Sequence, residues 1–277
     1  MNRNLLCSLV ILIFFCSTSV GQSNKAYISK LQKINILLSD IKYLPTDKER
    51  LSRNNEVRTI LVEIIKNPSS FYDKFDSLKY MGKRISPDKK FAIITWNIPL
   101  INAKNVFYGY LQIKPKKDTC VIYPLNDISD SCATNPVFEQ FTPERWFGAL
   151  YYEIIPRSYS SQTVYTLIGS RLNNLMTNKK IIESLYFDEN DKPIFGIPIF
   201  EYGLVTQCRV IFEFNIMARM TIHYNEKYKM IVFDHLAPPS SLFAGIYKYY
   251  GPDASYDAFY FENNIWKYFP KINIKNK

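Results

Sequence analysis

Apolar and polar positions along the chain change period near residue 79, and that change divides it into two parts. Ile28, Leu31, Ile34, Leu38 and Ile41 recur at three- and four-residue steps, which predicts an amphipathic helix stopped by Pro45. Val57, Ile60, Leu61 and Ile64 form a second stripe, ended by Asn67 and Pro68, and Thr46 with Glu49 has the spacing of a capping box at its start. Each stripe needs an apolar partner, and the expected one is an exposed face or edge of the sheet that follows.

Beyond Lys79 the period is two. In Arg209–Tyr224 (RVIFEFNIMARMTIHY) Val210, Phe212, Phe214, Ile216, Ala218, Met220, Ile222 and Tyr224 share one face, while Arg209, Glu213, Asn215, Arg219, Thr221 and His223 share the other. One strand of that length would extend about 53 Å, more than a usual strand. It is therefore either long and bent or divided by a bulge near Asn215–Ala218. Asn225-Glu226-Lys227 supplies a turn, and KMIVFDH returns as its partner. The strand, Asp/Asn-rich turn, strand unit recurs in SLYFDENDKPIFGIPIF and AFYFENNIWKYF, and SPDKKFAIITWN, WFGALYYEIIP and TVYTLIGS add further strands.

The expected fold is mainly β, with antiparallel sheets arranged as a sandwich or an incomplete propeller and a short helical N-terminal segment. Residues 22–78 form the helical segment and 79–277 the antiparallel β domain. Twenty-one Tyr and 19 Phe agree with a β-rich body, since aromatic side chains suit half-buried pleated surfaces.

Residues 1–21 change the compartment. Arg3, the apolar run LLCSLVILIFF and small residues at Ser19 and Gly21 read as a secretory signal peptide cleaved before Gln22. Its removal takes one positive charge with it, from +10 to +9. The chain is thus expected to be exported, to the periplasm, cell surface or exterior, with no transmembrane span in the mature form. Cys120, Cys132 and Cys208 remain, an odd number for an oxidising compartment. Cys120 and Cys132 bracket CVIYPLNDISDSC and are the best candidates for a bridge, though three pairings are open; Cys208 would then be a buried thiol.

Chemistry is sparse. The chain holds no G-x-S-x-G, C-x-x-C, H-E-x-x-H or phosphate-binding glycine loop, and only two histidines. Pairing 225 with 228 would set Arg219 opposite Asp234, gathering Arg219, His223, Asp234 and His235 into a cluster suited to an anion, or into a plain cross-strand ion pair. In YYGPDASYDAFYF, Asp253, Ser255 and Asp257 alternate after a Gly-Pro turn. Three readings stay open: a calcium cage using Asp253 and Asp257, a catalytic carboxylate pair, or a turn whose Asp and Ser cap backbone donors. The calcium-loop spacing of an EF-hand fails, because it needs Gly at 258 and Glu at 264, where Ala258 and Asn264 stand. Asp127 and Asp130 read as solvated turn residues. Trp146 and Trp266 are candidates for stacking on a sugar, whereas Trp96 reads as core. Lysines in IKPKKD and the C-terminal KYFPKINIKNK favour an acidic glycan or an anionic membrane surface over nucleic acid, given export.

SPDKKFAIITWNIPL, WFGALYYEIIP, NKKIIESLYFD, MIVFDHLAPP and YYGPDASYDAF together resemble a family of secreted, sheet-rich bacterial proteins with no assigned activity. The resemblance runs from about Phe75 to Phe261, implies export and a sheet-rich fold, and carries no site residues with it. The function expected is that of a non-catalytic envelope protein binding an anionic or glycan ligand or an envelope protein partner. The alternative is a carboxylate-dependent hydrolase acting on an envelope glycan or peptide, using Asp253 or Asp257 with Glu153, Glu213 or Asp234.

Overall fold

In the computed structural model, residues 25–116, 120–132 and 135–273 are described. The signal-peptide reading of residues 1–21, and Lys117, Lys275 and Lys277 of the basic stretches, lie outside them. Among the described residues the protein is mainly β, and its two α-helices stand at the N-terminal end, as the change of period predicts.

Helix α1 covers 25–41 and α2 covers Asp47–Ile65, the latter starting at a complete capping box in which Thr46 and Glu49 satisfy each other's backbone donors. The strands are β1 (Gly82–Ile85), β2 (Phe91–Pro99), β3 (Asn105–Ile113), β4 (Ile122–Asn126), β5 (Leu150–Tyr159), β6 (Gln162–Leu172), β7 (Thr177–Phe187), β8 (Pro193–Phe195), β9 (Phe200–Tyr202), β10 (Val205–Gln207), β11 (Arg209–Asn215), β12 (Ile222–Asn225), β13 (Met230–Ala237), β14 (Gly251–Glu262) and β15 (Ile265–Phe269). They form three sheets, ordered β1-β2-β3-β4, then β11-β7-β6-β5 with β8 beside β7, then β10-β9-β15-β14-β13-β12. Pairing is antiparallel except for β15 with β9.

Three hydrophobic cores join four layers. Leu31, Ile34, Leu61 and Ile64 of the helices pack on Ile94, Trp96, Ile98 and Tyr110 of the first sheet. The opposite face of that sheet, through Phe91, Ile93, Phe107 and Leu111, meets Tyr165, Leu167, Ile181 and Leu185 of the second. The second sheet turns Val164, Ile168, Ile182, Val210 and Phe212 onto Phe200, Ile231, Phe233, Phe259 and Trp266 of the third. The first and second sheets are thus covered on both faces, and β2 and β6 accordingly read as nearly continuous apolar runs rather than alternating ones. The helices find the sheet face they need, and Trp96 Nε1 donates to Asn54 Oδ1 at 2.8 Å to fix α2 on β2.

The long alternating segment is divided where expected. Asn215 ends β11, a turn follows in which Ala218 N bonds Asn215 O at 3.0 Å, and β12 resumes at Ile222. The two halves belong to different sheets, so the break carries the chain from the second layer to the third. The β14–β15 hairpin is tight: Glu262 pairs with Ile265, and Asn263 and Asn264 both take positive φ, 52° and 66°, which suits a right-twisted two-residue turn.

The expected Cys120–Cys132 bridge is corrected. Cys120 Sγ lies 3.3 Å from Gln112 Nε2, which also donates to Ile65 O at the end of α2, so this thiol faces the helices. Cys132 packs against the core between the first two sheets. The first sheet therefore separates the two sulfurs, and no disulfide joins them. Cys208 is a buried thiol, and burial raises its pKa.

Candidate ligand-binding site

A cavity of about 540 Å³ opens where α1, the first sheet and the edge strand of the second sheet meet. Its polar floor is Thr95, Asn97, Tyr152 and Ser170, and Leu38, Ile41, Ile98 and Leu150 supply apolar wall. Among its lining residues stand three cations, Lys42, Lys79 and Arg84, and no carboxylate. None of the three is ion-paired with a described carboxylate.

The local structure holds this site open and charged. Arg84 donates through Nε to Tyr152 O at 2.9 Å and through Nη1 to Lys83 O at 2.8 Å, so its guanidinium is fixed across the junction of β1 and β5. Tyr151 N donates to Thr95 Oγ1 at 3.3 Å and ties β5 to β2. The alternation of β1 turns Lys83 the other way, into the helix–sheet core. There Lys83 Nζ donates to Ser70 O at 2.6 Å, lies 4.6 Å from the Phe75 ring, and burial lowers its pKa to about 8. Alternate residues of one strand thus place one cation in the cavity and one in the core.

Behind the cavity wall lies a closed ionic centre. Tyr151 lines the cavity, yet its hydroxyl donates to Glu183, which also takes a 2.6 Å bond from Arg209 Nε. Glu183 and Arg209 are cross-strand partners on β7 and β11, both fully buried. Trp146 Nε1 donates to the Tyr151 hydroxyl at 3.0 Å, and Arg209 Nη1 holds Pro136 O and Glu139 O. Burial, then the Glu183 charge and hydrogen bond, push the Tyr151 phenol well up. Sequence reading placed Arg209 on a polar strand face and did not single out Glu183. The available signal was a lone acid in the apolar run KKIIESLYF, opposite a lone base opening RVIFEF.

The predicted Arg219–Asp234 cluster does not form. The hairpin turn is four residues, pairing Asn225 with Met230, so the register shifts by two from the expected one. Asp234 instead binds Thr221, accepting from its N at 2.7 Å and its Oγ1 at 2.9 Å. Arg219 and His223 are exposed, each without contact to that carboxylate. Trp146 and Trp266 are also corrected as sugar platforms: both are fully buried, and Trp266 Nε1 is taken by Thr166 Oγ1 at 2.8 Å. Their aromatic faces are packed in the cores.

The Asp253–Asp257 stretch separates into two devices. Between the pairs Asp234–Tyr256 and Leu236–Pro252 strand β14 bulges, and Ala254 takes φ of 70° there. Asp253 Oδ1 caps the bulge, accepting from Ser255 N at 3.0 Å and Ser255 Oγ at 2.6 Å. Asp257 is buried inward, its Oδ2 2.7 Å from both His235 Nδ1 and the Tyr268 hydroxyl and its Oδ1 accepting from Lys271 N at 2.9 Å. The carboxylate acceptor makes His235 Nδ1 the donor of this bond. Burial, followed by the Asp257 hydrogen bond and charge, raises the Tyr268 phenol. Sequence spacing put His235 and Asp257 in separate hypotheses; the sheet brings them together.

The other acids are taken by local partners. Glu153 accepts from Tyr224 N, and its pKa rises because burial outweighs that bond. Glu213 holds Thr177 and Lys179. Asp127 is buried rather than solvated, accepting from Phe107, Ser129 and Gly148 N and lying 3.6 Å from Arg171. Asp130 pairs with Lys104 at 3.0 Å. Among the described residues no group of three or more His, Cys, Asp or Glu is arranged to hold a metal ion, and no helix is long and apolar enough to cross a membrane. No family model matches the chain, and neither a curated protein nor a solved structure matches it.

Proposed function

We propose that this is an exported, non-catalytic binding protein whose cavity takes an anionic ligand, of the size of an acidic mono- or disaccharide. One observation carries the reading: the lining residues combine Lys42, Lys79 and Arg84 with no acid, and Arg84 is held in place by two backbone carbonyls. Cations without an acid partner, one of them held in place, beside hydroxyl and amide groups suit a carboxylate, sulfate or phosphate carried on a polyol. The volume of about 540 Å³ lies within the usual range of small-molecule sites.

The test is thermal melting of the protein against uronic acids, sugar phosphates and sulfated saccharides, with neutral sugars of the same size as controls. A rise with the acidic set that disappears in Arg84→Ala is the expected result. Turnover of an envelope glycan or peptide, lost in His235→Ala or Asp257→Asn, would replace this reading with a hydrolase.

A further inference from the structure

Three turns at one end of the molecule hold nine of the 21 exposed large hydrophobic side chains among the described residues, in the segments 172–176, 216–217 and 242–249. Leu175, Met217 and Leu242 stand at the tips, 70, 87 and 86% exposed. The backbone knits the turns together: Ile216 N donates to Met176 O at 2.9 Å, and Asn215 N to Tyr250 O at 2.9 Å. Asn215 Nδ2 also holds Lys248 O. These side chains therefore form one patch rather than scattered exposures of the kind every surface shows.

The charge carried by the three turns themselves is positive. Residues 172–182, 214–225 and 235–252 contain no Asp or Glu, while within them Arg219 stands exposed and Lys248 half-buried; Glu213, bonded to Thr177 behind the first turn, is paired with Lys179 at 3.2 Å. Ser170, in the floor of the cationic cavity, precedes Leu172 by two residues on β6, so both features lie at the same end of the second sheet. Tyr247 and Tyr249, half-exposed, sit beside the tips. Protruding Leu and Met tips, a flanking pair of tyrosines, and turns that carry cations but no acid of their own match what a bilayer surface offers: apolar interior, interfacial zone and anionic headgroups in order of depth.

We infer that this end docks on an anionic phospholipid membrane, with Leu175, Met217 and Leu242 entering the acyl boundary and Arg219 and Lys248 meeting the headgroups. The inference does not rest on the cavity reading. The tips sit on separate turns, so they enter a soft surface as independent points, and no preformed partner groove is required.

The experiment is co-sedimentation of the protein, purified as it accumulates after export, with vesicles of phosphatidylglycerol and phosphatidylcholine or of phosphatidylcholine alone. The wild type should partition to the anionic vesicles and be released by salt. The double variant Leu175→Asp/Met217→Asp should bind at least about tenfold more weakly while melting at the same temperature, because the lost burial is made only in the bound state. No partition to anionic vesicles would overturn the inference, as would equal partition of the double variant or equal binding to neutral vesicles. A concentration-dependent dimer that the double variant abolishes would overturn it in favour of a second copy of the chain.

Discussion

Two clusters of charge lie back to back across Tyr151, and they are built on opposite rules. Inside, Arg209 and Glu183 are fully buried, bonded to each other, and further bonded to Tyr151 and the carbonyls of Pro136 and Glu139. Outside, Lys42, Lys79 and Arg84 line a cavity that contains no carboxylate. Removing one partner of a buried pair strands the other charge in low dielectric, so the inner cluster is a structural commitment. Exposed cations lose little by being unpaired, since water and salt screen them, and so they stay available to the proposed anionic ligand. Neighbouring charges thus differ in role because they differ in what compensates them.

The comparison is broken most severely from the inside. Arg209→Met should leave Glu183 without its cation and destabilise the fold by about 3–5 kcal/mol, measured by chemical denaturation. If it costs less than about 1 kcal/mol, the buried pair is not a structural commitment.

Lys83 sharpens the contrast, since it is a cation on the structural side with no carboxylate bonded to it. Its folded pKa, lowered by burial from 10.5 to about 8, means that folding disfavours the charged amine relative to the neutral one. The burden on stability is therefore full below pH 8 and fades as pH rises from 8 towards 10.5. Above pH 10 the raised tyrosines act the other way, because Tyr152, Tyr165 and Tyr268 resist ionising in the fold. Melting should thus rise between pH 8 and about 10 in the wild type relative to Lys83→Met, which lacks this dependence. A wild type and variant that run parallel through that window would show that Lys83 carries its full charge in the fold.

Arg84→Ala should change melting by less than about 1 kcal/mol equivalent yet weaken an anionic ligand roughly tenfold or more, read by calorimetric titration. Equal losses of stability and binding would erase the distinction between the clusters. The smallest effect is expected at the cysteines: reducing agent should leave melting unchanged, where a bridge closing a loop of this kind would contribute about 2–3 kcal/mol.

How much of this was legible depended on whether the signal was local. Helix stripes, the capping box, the Asp/Asn-rich hairpins and the break after Asn215 all follow from rules spanning a few residues, and each appears in the fold. The Arg219–Asp234 cluster failed because a turn of four residues, not two, sets the register, and a shift of two moves every cross-strand partner. Trp146 and Trp266 were ambiguous because an indole suits a core or a sugar equally; only the stacking of three sheets buries both. The cavity was not legible at all. Lys42, Lys79 and Arg84 come from a helix end, a loop and a strand, and only the packing of α1 against the first two sheets assembles them.

The measurement that bears most directly on the contrast is hydrogen exchange of the backbone with and without a saturating sulfated disaccharide. Protection confined to 79–84, 95–99 and 150–152, with exchange around Glu183 and Arg209 already slow and unchanged, is the predicted result. Protection centred on other segments, with those three unaffected, would contradict it.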